Sequence, residues 1–115
     1  MKNIAVVSKD VILNGIIERH LKDIYQVVVF SNMSSALDYI YNAVPNLIVM
    51  NMTGEEEDSV AVLNALKSDP MFQQLPVLAV LSEAFGKPDW DRWLVEDYIR
   101  RADLETDLTA RVNLS

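Results

Sequence analysis

The stretch Leu47-Ile48-Val49-Met50-Asn51-Met52-Thr53-Gly54 constrains this chain most. An unbroken apolar run enters a single amide, and a glycine-bearing turn follows. So short and uniformly apolar a segment, bounded by turn signals, reads as a strand buried on both faces. Strands of that kind belong to parallel sheets, where ligands and chemistry collect just beyond the carboxyl ends. Asn51 therefore stands where a reactive side chain is expected. Its neutral amide is a poor nucleophile and a poor ligand for a hard metal ion.

The rest of the chain supplies partners for that strand. Ile4–Val7 reads as a first strand with its mouth at Ser8. Leu13, Ile16, Ile17, His20 and Ile24 recur at helical spacing, so Val11 to Ile24 is expected to be an amphipathic helix, with Ser8 or Asp10 as N-cap. Tyr25–Phe30 is rich in β-branched and aromatic residues and reads as a second strand. Ser31, Asn32 and Ser34 punctuate, and a helix follows with Ala36, Leu37, Ile40 and Tyr41 on one face, ended by Asn42 and Pro45.

Beyond Met50, the acidic loop Gly54-Glu55-Glu56-Glu57-Asp58 leads into a third helix with Val60, Leu63, Ala65 and Leu66 on its apolar side. Acidic residues in a first turn suit the helix dipole, which is the plain explanation of the glutamate run. Asp69-Pro70 stops that helix, Val77–Leu81 forms a fourth strand ending at Ser82, and Pro88 to Leu94 suits a short helix. Tyr98-Ile99 reads as a fifth strand, and Asp103 as the cap of a last helix bearing Leu104, Leu108 and Val112. Five strand–helix units with short connections imply one α/β domain over residues 1–115, a doubly wound five-stranded parallel sheet with helices on both faces. The last helix lacks a stop signal before Ser115, as expected of an N-terminal piece of a longer multidomain protein.

Composition removes several function classes. A formal net charge of -7 argues against nucleic acid and anionic membranes as partners. With no cysteine and one histidine, thiolate chemistry, disulfides and multi-histidine metal centres are excluded. The chain enters its first strand without a signal peptide, and its apolar runs are too short to span a bilayer, so a cytoplasmic location is expected.

Several segments, in order, are similar to those of one family. Pro45-Asn46-Leu47-Ile48-Val49-Met50-Asn51 looks like a Pro-Asp-Leu-apolar-apolar-apolar-Asp third strand, and Ser68-Asp69-Pro70 with Leu75-Pro76-Val77 like the turn into a fourth. Glu96-Asp97-Tyr98-Ile99-Arg100-Arg101-Ala102 looks like an Asp-Asp-Tyr-Leu-x-Lys-Pro segment, and Asp103 through Val112 like the final helix. Together they resemble the receiver domain of two-component response regulators, a flavodoxin-like (βα)5 fold, over nearly the whole chain.

The resemblance implies a degenerate receiver, or pseudo-receiver. The phosphoacceptor aspartate is matched by Asn51, and the acidic pair that helps bind Mg²⁺ by Ser8 and Lys9. The strand-five lysine is matched by Arg101, and the proline after it by Ala102. Ser82 and Tyr98 match the hydroxyl and aromatic switch positions, which are retained. Lys9 and Arg101 are expected to pair with Asp10 or with Glu55, Glu56 and Glu57, leaving a site locked without a cation.

Two further features carry weighed readings. His20 reads foremost as a packed, partly exposed structural residue, and Tyr39 and Tyr41 as core and rim. Trp90 and Trp93 sit three apart, which places them near one helix face; they either pack on the sheet edge or anchor a partner, since Trp is enriched in interface hot spots. The implied face, built from the family's fourth helix, fifth strand and fifth helix, would include Trp90, Trp93, Tyr98 and Leu104.

The expected function is signal transduction by phosphorylation-independent protein–protein interaction or dimerisation, regulating an output domain in cis, with no enzymatic activity, cofactor or metal. One alternative is a receiver that still accepts phosphate on Asp10 or an acid of the loop. Another is a small flavodoxin-like enzyme or ligand-binding domain, which would need a Gly-rich phosphate loop; Gly15, Gly54 and Gly86 lie too far apart to form one.

Overall fold

Five short apolar strands lie parallel in a single sheet, in the order β2-β1-β3-β4-β5. They are β1 (Asn3–Val7), β2 (Gln26–Phe30), β3 (Leu47–Asn51), β4 (Val77–Leu81) and β5 (Asp97–Arg100). The computed structural model describes residues 2–52, 56–81 and 97–114. Within them the helices are α1 (Val11–Leu21), α2 (Met33–Ala43), α3 (Glu56–Lys67) and a final helix, Leu104–Leu114. Ser82, Trp90, Trp93 and the helix expected over Pro88–Leu94 lie outside the described residues.

The sheet buries both faces because alternate residues of its central strands supply two separate cores. Val7, Ile48, Met50, Val77, Ala79 and Leu81 pack under α2 and α3 with Ile40, Leu63 and Leu66. Ile4, Val6, Leu47, Val49, Leu78, Val80 and Ile99 pack under α1 and the final helix with Leu13, Ile17, Leu21, Leu108 and Val112. Every residue of β3 and β4 is buried, as the unbroken apolar run requires.

Local chemistry sets the helix limits. The Asn32 side chain accepts from the Ser35 N–H at 3.1 Å and so starts α2. Three expectations about the helices change. Leu21 ends α1, so Ile24 lies in the turn beyond it and is 49% exposed. On α3, Val62 is buried where Ala65 was expected, and Ala65 is exposed. A 3-10 turn, Arg101–Asp103, intervenes before the final helix, with Asp103 its last residue. The acidic run behaves as the dipole argument requires, for α3 begins at Glu56. No helix among the described residues is long and apolar enough to cross a membrane.

Gly15 occupies an exposed position within α1, and a Cβ built there meets nothing within 4 Å. Gly15→Ala is therefore expected to raise the unfolding free energy by about 0.5–1 kcal/mol, read by urea denaturation. A loss of stability would mean that α1 needs this backbone freedom.

Candidate functional site

The chain passes from β1 outward to β2 on one side and returns to β3 on the other. The order therefore reverses between β1 and β3, and it is beyond the strands' carboxyl ends at such a point that open α/β sheets bind ligands. Asn51 ends β3, and Ser8 follows β1 on the next strand over.

Ser8 is fully buried, and its polar groups are taken up partly by β2 and partly by the β1–α1 segment. Its N–H donates to the Phe30 carbonyl at 2.9 Å. Its carbonyl accepts from the Asn14 amide at 3.0 Å, and its hydroxyl oxygen accepts from the Asp10 N–H at 3.1 Å. Asn51 is 3% exposed, and its carbonyl accepts the Ser59 hydroxyl at 2.9 Å, which ties α3 to the end of β3. Lys9 is exposed.

Asp10 does two jobs. One carboxylate oxygen accepts from the Leu13 N–H at 3.0 Å and caps α1. The other pairs with the guanidinium of Arg101, which β5 delivers at its own carboxyl end. The Arg101 hydrogen bond, then the Leu13 N–H, hold the Asp10 carboxyl below the ordinary aspartate value. A depressed carboxyl contributes stability above its unfolded value and loses it as pH falls through its folded one. In Arg101→Gln the Asp10 titration, followed by carboxyl-carbon NMR, is expected to move up toward the ordinary value. With both side chains about one-third exposed, the stability lost at neutral pH should be only about 0.5–1 kcal/mol. An unmoved titration would remove Arg101 as the cause.

This arrangement does not suit a hard divalent cation. Of Ser8, Lys9, Asp10 and Asn51, only Asp10 is a carboxylate, and Arg101 already neutralises it. Such cations take several oxygen ligands, usually with more than one carboxylate among them. Among the described residues no group of three or more His, Asp or Glu side chains is placed to hold a metal.

On the neighbouring edge, Arg111 of the final helix grips Asp97 at 2.8 and 3.0 Å and donates to the Tyr98 carbonyl at 3.1 Å. The Tyr98 ring is partly buried against the α3-side core, with the Arg100 guanidinium 5.6 Å from its centroid. Leu104 is only 1% exposed and packs with Ile99 and Leu108. The expectation that Leu104 lies on an outer contact face is thus corrected: the apolar pattern that singled it out is a core pattern. His20 is 27% exposed in its side chain, with Nε2 4.0 Å from Glu105 on the final helix, as a packed structural residue would be.

Two contacts escaped the sequence. Ser59 lies on the buried face of α3, spaced three, four and seven residues from Val62, Leu63 and Leu66, and that spacing was a usable signal. The Asp97–Arg111 pair joins two elements, and no local pattern marks it.

Comparison with solved structures places the fold. A protein from Chloroflexus aurantiacus J-10-fl described as a response regulator superposes with a TM-score of 0.86 at 18% identity, over 98% of this chain and 95% of that one. The signal receiver domain of a signal transduction histidine kinase from Syntrophus aciditrophicus gives 0.82 at 22% identity, over 99% and 89%. The Mn²⁺-bound form of response regulator Rcp1 gives 0.78 at 15% identity, over 100% and 97%. No protein-family model matches the chain, and no curated protein matches it. The chain has the α/β fold of response-regulator receiver domains.

Proposed function

We propose that this domain is a pseudo-receiver: a signalling module that works by protein contact, without phosphoryl transfer and without a metal. The Asp10–Arg101 pair carries the reading. Where a receiver would bring carboxylates together for Mg²⁺ and a phosphoryl group, Asn51 and Ser8 are neutral, and the one carboxylate among the matched residues and their neighbour Asp10 is taken by a guanidinium. A carboxylate is needed to attack phosphorus and form an acyl phosphate, and an amide cannot replace it.

The domain acts as a non-enzymatic regulator of an attached output domain or of a separate protein in the cytoplasm. The contact face follows β5, the final helix and the segment containing Trp90 and Trp93, with Tyr98 and Arg100 at its described edge. The overall fold and the retained Ser82 and Tyr98 positions support this use of the scaffold. The test is intact-mass analysis after incubation with acetyl phosphate and Mg²⁺. Unmodified protein is expected. A stable phosphoryl adduct, on Asp10 or on the acidic loop, would overturn the reading.

A further inference from the structure

Among the described strands the sheet ends at β2 and β5, and the two edges are built differently. β5 carries Asp97 and Arg100, with Arg111 clamped onto Asp97. Charges on an edge are a common defence against pairing with another sheet. β2 reads Gln-Val-Val-Val-Phe, with no charge, no proline and no glycine, in a chain of net charge -7.

The hydrogen bonds to β1 fix which β2 groups face outward. The Gln26 N–H donates to the Lys2 carbonyl, and the Phe30 carbonyl accepts from Ser8, each at 2.9 Å. In a parallel pair alternate residues bond to the same neighbour, so Gln26, Val28 and Phe30 face β1. The N–H and C=O groups of Val27 and Val29 then lie on the open edge, without a strand partner among the described residues.

We infer that β2 is a self-pairing edge, which joins two copies of this chain antiparallel about a two-fold axis at Val28. Parity favours a second copy. With the axis at Val28, Val27 faces Val29 of the other copy, so the outward groups of each meet as hydrogen-bonded pairs. Gln26 faces Phe30, and Val28 faces itself. Within Gln26–Phe30 no like charges collide, because the strand carries none. Two acidic copies thus meet along the segment of each that carries no charge. The exposed Ile24 at the head of the strand adds apolar surface beside it. The contact is small against the ~1,200 Å² of a stable interface, so the association is weak, with a Kd of about 0.1–1 mM. It is tighter in high salt, which screens the repulsion between two negative bodies.

Sedimentation equilibrium of the wild-type chain tests this, over about 10 µM to 1 mM protein at low and high salt. A monomer–dimer equilibrium strengthened by salt is expected. Val28→Lys places two ammonium groups on the axis, at a partly exposed residue that belongs to neither buried cluster. It should weaken association at least about tenfold. Isotope-filtered NMR of the wild type supplies a readout free of any folding effect: a cross-peak from Val27 of one copy to Val29 of the other is expected. A monomer throughout, a dimer unchanged by Val28→Lys, or a dimer lacking that cross-peak would each overturn the inference. None of these outcomes bears on phosphorylation, which the mass analysis tests separately.

Discussion

Asn51→Asp is expected to lower the unfolding free energy by about 1–3 kcal/mol at neutral pH and to leave the protein unphosphorylated. The exchange is nearly isosteric, so packing around the 3%-exposed side chain hardly changes. What changes is charge. A buried carboxylate needs a cation or several donors, and Arg101 is already paired with Asp10. Burial should therefore raise the new carboxyl above its unfolded value. A raised carboxyl costs stability fully above its folded value, and the cost fades as pH falls toward the unfolded one. Urea unfolding at pH near 7 and near 4 is the check: the deficit against wild type should shrink in acid. A variant as stable as wild type at neutral pH would show that a cation is poised to receive the charge. On the proposed pseudo-receiver reading, the new carboxyl alone should not bring phosphoryl transfer, because Ser8 and Lys9 place no further carboxylate beside it.

The second large effect is expected at the opposite end of the sheet. Phe72 is fully buried in the 3-10 turn Pro70–Phe72, and its ring meets Tyr41 edge-on, with centroids 4.9 Å apart at 84°. Phe72→Ala should cost about 3–5 kcal/mol, a large share of the ~5–15 kcal/mol that holds a domain of this kind. Phe72→Leu fills most of the space and should cost less than about half as much. Guanidinium unfolding of both variants gives the comparison. A loss below about 1 kcal/mol in Phe72→Ala would mean that the turn collapses onto the vacancy.

Much of the fold was legible because buried parallel strands leave a strong mark. Leu47–Met50 and Val77–Leu81 are so uniformly apolar that they fit few other places. The α1 cap was narrowed to Ser8 or Asp10, of which Asp10 accepts the Leu13 N–H, whereas Asn32 was read only as punctuation before α2. Three features blurred. Ile24 continues the α1 period by chance after Leu21 has ended the helix. Val62 sits beside Leu63, so the sequence alone left Ala65 an equal claim to the core. Leu104 was set on the implied contact face although its spacing with Leu108 and Val112 already marked it as core.

The candidate site was legible as a set of replacements, and one of its bonds was expected: Arg101 was to pair with Asp10 or with the acidic loop, and it pairs with Asp10. Which acid Arg101 takes is decided by topology, because β5 ends beside the start of α1 and so brings together residues 91 apart. The Ser8 groups, in contrast, are taken up by Phe30 on β2 and by Asp10 and Asn14, bonds that no spacing rule predicts.

Three polar ties join the first β–α–β unit to the segment after β5: Asp10 to Arg101, Arg19 to Glu105, and Tyr25 to Asn113, with separations of 91, 86 and 88 residues. They border the core formed by Leu13 and Ile17 with Leu104, Leu108 and Val112. A ribosome makes those partners at opposite times. The face under α2 and α3 can close while the last helix is still being translated, whereas the face under α1 cannot. During synthesis, half of the sheet therefore stays open to water until Leu104–Leu114 has been made, and that helix acts as the latch of folding.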